Sequence, residues 1–163
     1  MYTRARARAD TYAYVGGDGG IAGNQKNLTL NVQNETLIDG TSVFDNLASI
    51  ESIGPVLLNA TVVTSGNQNY STVTLVGDTT LVADGGEFSR EIIGNGQDLT
   101  LTINNTITIE DGSGVKNLTS SGETILTGTI NTTGSQAYQS NVTIEGNVEL
   151  LSLIHISEPT RPE

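Results

Sequence analysis

Aliphatic and polar residues alternate with a period of two along much of this chain. Leu28, Leu30 and Val32 are separated by Thr29 and Asn31, and Leu99, Leu101 and Ile103 by Thr100 and Thr102. Ile107 and Ile109 flank Thr108, and Val73 and Leu75 flank Thr74. Such a pattern puts the aliphatic side chains on one side of a strand and the threonines on the other. β-Branched, Thr-rich runs suit a pleated surface, and the Gly, Asn, Asp and Ser between them are turn formers. With no sustained helical stripe anywhere, the pattern predicts an all-β chain.

The strands recur at long range. Thr64-Ser65-Gly66-Asn67-Gln68-Asn69-Tyr70, then Val73-Thr74-Leu75, returns as Thr132-Thr133-Gly134-Ser135-Gln136-Ala137-Tyr138, then Val142-Thr143-Ile144. Asn27-Leu28-Thr29-Leu30 matches Asp98-Leu99-Thr100-Leu101, and Asp45-Asn46-Leu47-Ala48-Ser49 matches Lys116-Asn117-Leu118-Thr119-Ser120. The interval from Leu28 to Leu99, shared by Leu47 and Leu118, is slightly longer than that from Gly66 to Gly134. The drift implies a three-residue deletion in the second copy, expected near Gly54-Pro55. Three short strands with turns occupy about 20–25 residues, so the period reads as three coils of a parallel β-helix. On that reading Tyr70 and Tyr138 cover the same spot on successive repeats. The competing architecture is a duplicated β-sandwich. Asp18-Gly19, Asp39-Gly40, Asp84-Gly85 and Asp111-Gly112 could turn its hairpins, but the chain lacks the aromatic core that a sandwich carries.

Residues 61–82 and 128–145 resemble the repeat of filamentous-haemagglutinin-type exoproteins, on the Thr-Ser-Gly-Asn-Gln-Asn-Tyr run, its Thr-Thr-Gly-Ser-Gln-Ala-Tyr echo, Asp78-Thr79-Thr80-Leu81 and Asn117-Leu118. The resemblance implies a right-handed parallel β-helix within a large bacterial protein that is secreted or displayed at the cell surface for adhesion. It implies a glycan or protein of a host or surface as partner. Residues 13–150 are then a repeat region of about two copies, incomplete at both ends.

The two ends read differently. Residues 1–12, with Arg4, Arg6 and Arg8 alternating with alanines, are expected to be a disordered or spurious tail, and Met1 an internal or spurious start. From Leu151 to Arg161 the chain resembles, residue for residue, the in-frame translation of a transposase-based sequencing adapter. The expectation is that 151–163 is a non-native tail and should stay outside fold reasoning. The only histidine, His155, falls there, so no histidine chemistry is expected.

Composition narrows the partners. Between residues 11 and 150 stand fifteen Asp/Glu against Lys26, Arg90 and Lys116. Such a surface repels phosphate backbones, which argues against nucleic acid. Cysteine is absent, so neither disulfides nor thiolate metal sites arise. No apolar run approaches the ~20 residues of a membrane-spanning helix.

No catalytic, cofactor-binding or metal-ligating residue emerges, and the chain reads as non-catalytic. Gly16-Gly17-Asp18-Gly19-Gly20 and Asp84-Gly85-Gly86-Glu87 resemble calcium-binding β-roll turns, yet neither is repeated in tandem as that architecture requires. Glu110-Asp111, Asp84/Glu87 and Glu87/Glu91 are the acid pairs nearest to what a polysaccharide lyase or hydrolase needs, the alternative function. Thr72/Thr74, Thr100/Thr102, Thr106/Thr108 and Thr127/Thr129 suggest ice or crystal-surface binding, but their uneven gaps along the chain speak for β-preference alone. The eight Asn-x-Ser/Thr sites, from Asn27 to Asn141, follow from abundant Asn and Thr. Open sheet edges at both ends of the repeat region predict end-to-end self-association.

Overall fold

The computed structural model describes residues 5–7, 12–15, 21–41 and 44–153. The chain is a β-solenoid of about six turns, all-β, with no helix among the described residues. Every strand pairing among the described residues is parallel. That excludes the duplicated sandwich, whose sheets are antiparallel. Of the Asp-Gly pairs, Asp39-Gly40 lies inside the strand Glu35–Thr41 and Asp111-Gly112 inside Thr106–Val115. Asp84-Gly85 joins Thr79–Ala83 to Gly86–Ile93. Asp18-Gly19 falls outside the described residues.

The strands form three stacks. The first climbs through Ala5–Ala7, Asn27–Leu30, Ser49–Ser52, Gln68–Tyr70, the starts of Gly86–Ile93 and Thr106–Val115, Glu123–Leu126 and Val142–Ile144. The second runs through Tyr12–Val15, Glu35–Thr41, the start of Val56–Val63, Val73–Leu75, the ends of Gly86–Ile93 and Thr106–Val115, Thr129–Thr132 and Glu149–Ser152. The third holds residues 61–63, Thr79–Ala83, Leu99–Ile103, Leu118–Ser120 and Gln136–Tyr138. A short separate pairing joins Ile21–Ala22 to Phe44–Asp45. Ala5–Ala7 lies within the expected N-terminal tail; Leu151 and Ser152, at the start of the expected C-terminal one, lie in a strand opposite Asn131 and Thr132.

In the first stack Leu28, Ile50, Gln68, Gly86, Ile107, Thr124 and Val142 stand one above another. Most of these coils are shorter than the about 20–25 residues expected, because many strands span only three or four residues. Inside, the aliphatic residues build ladders such as Val56–Val73–Ile92 and Val62–Leu81–Leu101, all buried. Tyr70 and Phe88 stack in successive coils with centroids 5.8 Å apart. Left-handed backbone at Asn24, Asn46 and Asn95 turns three corners, a conformation that asparagine tolerates.

The long repeat is not a whole number of coils. Gln68 and Tyr70 sit above Ile50 and Ser52 in the first stack, whereas Gln136 and Tyr138 sit above Leu118 and Ser120 in the third. The period therefore covers three coils and two more stacks, and Tyr70 and Tyr138 do not share a spot. The same register pairs residues 48–52 with 116–120, which corrects the alignment of 45–49 with that run. The three-residue difference also moves. The coil from Leu28 to Ile50 is longer by that amount than the coil from Leu99 to Leu118, so the difference lies before Ile50 and not at Gly54-Pro55.

Candidate functional site

What repeats is a corner. Thr64 Oγ1 donates to Gly66 O at 2.8 Å, and Thr132 Oγ1 to Gly134 O at 3.1 Å. Gln68 Nε2 donates to Val62 O (3.1 Å) and to Val82 O one coil on (3.0 Å). Gln136 Nε2 does the same with Ile130 O (3.0 Å) and Leu151 O (2.7 Å). Tyr70 and Tyr138 each donate to the glutamine Oε1 two residues earlier at 3.1 Å. A buried glutamine must have its polar atoms satisfied, and here a tyrosine and two carbonyls do so. Burial pushes the Tyr138 hydroxyl up to about 12 and the more deeply buried Tyr70 hydroxyl further up. These tyrosines are packing groups that also tie the corner together by hydrogen bonds.

One member of each acid pair is engaged between coils. Asp111 Oδ1 accepts the Thr129 N–H (2.8 Å), Asp84 Oδ1 accepts the Asn105 amide (2.9 Å), and Glu91 Oε1 accepts the Ser113 hydroxyl (2.7 Å). Each of these carboxylates ties one coil to the next. Among the described residues no group of three or more His, Cys, Asp or Glu is placed to hold a metal ion. His155 lies outside the described residues.

One shallow cleft of about 320 Å³ opens on the first stack, lined by Glu51, Ser52, Ile53, Asn69, Tyr70, Ser71, Glu87 and Ser89. Glu51, Asn69 and Glu87 occupy one register position in three successive coils, so the backbones of the two glutamates lie two strand spacings, about 10 Å, apart. Both glutamates are exposed, and the tyrosine beneath is 1% exposed, so no ring offers a sugar a stacking surface.

The third stack carries a column of threonines. Thr61, Thr80, Thr100 and Thr119 lie in register in four consecutive coils. They point outward, half-buried, between inward residues such as Ala60 and Val62, Leu81, and Leu99 and Leu101. Beside them Val63, Val82 and Thr102 form a second outward row. The sequence reading paired threonines two apart within one run and missed this column. The signal was a Thr at the same place in each third-stack strand, which needs the coil register to be seen.

Along one border of this stack a polar ladder runs from coil to coil. Asp78 Oδ1 accepts the Asp98 N–H (2.9 Å), Asp98 Oδ1 accepts the Asn117 N–H (3.1 Å), and Asn117 Oδ1 accepts the Ser135 N–H (2.9 Å). Lys116 Nζ adds a loose ion pair with Asp98 at 3.6 Å.

Comparison with protein-family models, with curated proteins and with solved structures finds no match for this chain.

Proposed function

We propose that this chain is a stretch of the non-catalytic shaft of a secreted or surface-displayed, adhesin-type bacterial repeat protein. The observation that carries the reading is the continuous parallel stack of about six turns, cross-tied at its corners by side chains. Each coil contacts its neighbours, so the array can lengthen without a change of design. At about 4.8 Å per coil, many such coils hold a binding region away from a cell, where it meets a glycan or protein on a host or other surface. The function is spatial, and its work is done by hydrogen bonds and aliphatic ladders.

The test is to amplify source DNA across codons 149–151 and read outward in both directions. A frame that runs on through further coils toward a secretion signal supports the shaft. A stop codon directly after Glu163 overturns it.

The cleft at Glu51, Asn69 and Glu87 favours a second reading, a carbohydrate-binding or carbohydrate-active β-helix. Release of oligosaccharides from a polysaccharide panel, abolished in Glu51→Gln or Glu87→Gln, would establish it in place of the shaft.

A further inference from the structure

We propose that the outward side of the third stack binds a crystalline surface, and that the crystal is ice. This inference holds whether or not the solenoid is a shaft. Thr61, Thr80, Thr100 and Thr119 form one row, and Val63, Val82 and Thr102 a second. The backbone sets both axes of the array: about 4.8 Å between coils, and about 6.7 Å between alternate residues of a strand. Such an array presents side chains at fixed intervals in two dimensions, as a surface that meets a crystal lattice must. The array is also undistorted. None of the third-stack pairings carries a register shift, whereas the second stack carries one between Gly112 and Val115.

Charge points the same way. The chain has a formal net charge of −11, and Glu51 and Glu87 break the outward side of the first stack, as Glu91 and Asp111 break the second. The outward strand positions of the third stack are uncharged: Thr61, Val63, Thr80, Val82, Thr100, Thr102, Thr119 and Ala137. A carboxylate would hold its own hydration shell in conflict with a lattice; a neutral face does not. Threonine is stiff about χ1, so each offers a methyl and a hydroxyl in a fixed place. The methyls order the first water layer, and the hydroxyls anchor it by hydrogen bonds. A crystalline polysaccharide would call for aromatic platforms, and these positions carry none.

The experiment uses the full 163-residue chain, fluorescently labelled, in a slowly grown ice hemisphere, with a parallel assay of ice recrystallisation. The expected result is incorporation into ice along defined planes and inhibition of recrystallisation. Thr100→Lys and the Thr80→Lys/Thr100→Lys pair should weaken inhibition by roughly tenfold or more, the ratio for one lost contact of about 1.4 kcal/mol, with unchanged urea unfolding. Thr108→Lys, on the outward side of the first stack, should leave inhibition intact. Exclusion of the wild-type chain from ice overturns the proposal. So does equal activity of the Thr100→Lys variants, or an equal loss in Thr108→Lys. Sedimentation with cellulose or chitin without adsorption to ice would overturn it in favour of a polysaccharide surface.

Discussion

Asn117 stands one coil above Asp98 and gives the same carboxylate oxygen both its backbone N–H, at 3.1 Å, and its side-chain amide, at 2.9 Å. Asp98→Ala removes the acceptor for both donors. Because the site is partly exposed, water replaces some of what is lost, and the expected cost is about 1 kcal/mol. Asp98→Asn keeps an oxygen in place and should cost less. Urea unfolding with an unchanged slope measures both; equal costs for the two variants would contradict the ladder.

A methyl group on Gly66 would come within 2.8 Å of the Ala48 carbonyl oxygen, and one on Gly134 within 2.7 Å of the Lys116 carbonyl oxygen. In each case the glycine N–H also bonds that carbonyl, at 2.6 and 2.7 Å, so the coils cannot part without losing a bond. Gly66→Ala and Gly134→Ala should each destabilise by about 1–3 kcal/mol. Denaturant midpoints provide the comparison, and a neutral result at both sites would mean that the corner yields easily.

Gln68 is 2% exposed and Tyr70 1% exposed. Gln68→Leu takes the acceptor from the tyrosine hydroxyl and a donor from two carbonyls, of which Val82 O keeps the Thr64 N–H, at an expected cost of about 2–4 kcal/mol. Tyr70→Phe alone should cost about 1 kcal/mol. In the double variant the orphaned hydroxyl is gone, so the two effects should sum to less than their separate values. Strict additivity in the cycle would show that the pair is not coupled.

Alkaline pH should unfold the protein through the same residues. Tyrosine in the unfolded chain ionises near about 10, while burial raises Tyr138 to about 12 and Tyr70 beyond it. Above pH about 10 the unfolded chain therefore sheds protons that the folded chain keeps. Stability is present in full below that pH and falls as pH rises toward 12, with Tyr70 extending the loss further. Unfolding midpoints taken from pH 8 to 12 should decline, and more gently in Tyr138→Phe.

The last coils show apolar side chains to water: Ile144 is 60% exposed and Leu150 48%. Among the described residues their strands are paired on one side alone. Sedimentation velocity should show concentration-dependent association of the full chain, relieved in Ile144→Lys/Leu150→Lys. A monomer at the highest attainable concentration would refute this.

The strands were legible because alternation reports on each strand alone, at Leu99–Ile103 as at Val73–Leu75, and their parallel stacking was legible in the long repeat. Register was not. The Asp-Gly pairs signal a turn locally, but parallel neighbours leave Asp39-Gly40 and Asp111-Gly112 inside strands and Asp84-Gly85 at a corner. The repeat was visible as letters, yet its meaning depends on which stack each copy enters, and that is fixed by coils of unequal length. The threonine column was hidden for the same reason: its members lie a whole coil apart, with nothing in between to link them.

Because the Thr-Gly-Gln-Tyr corner joins the third stack to the first at Gly66 and the second to the third at Gly134, one duplication advances the pattern by two-thirds of a turn. A rod assembled from such units would wind its surface chemistry around its axis like a barber's pole. Any patch borne by one copy would be offered in three directions after three copies.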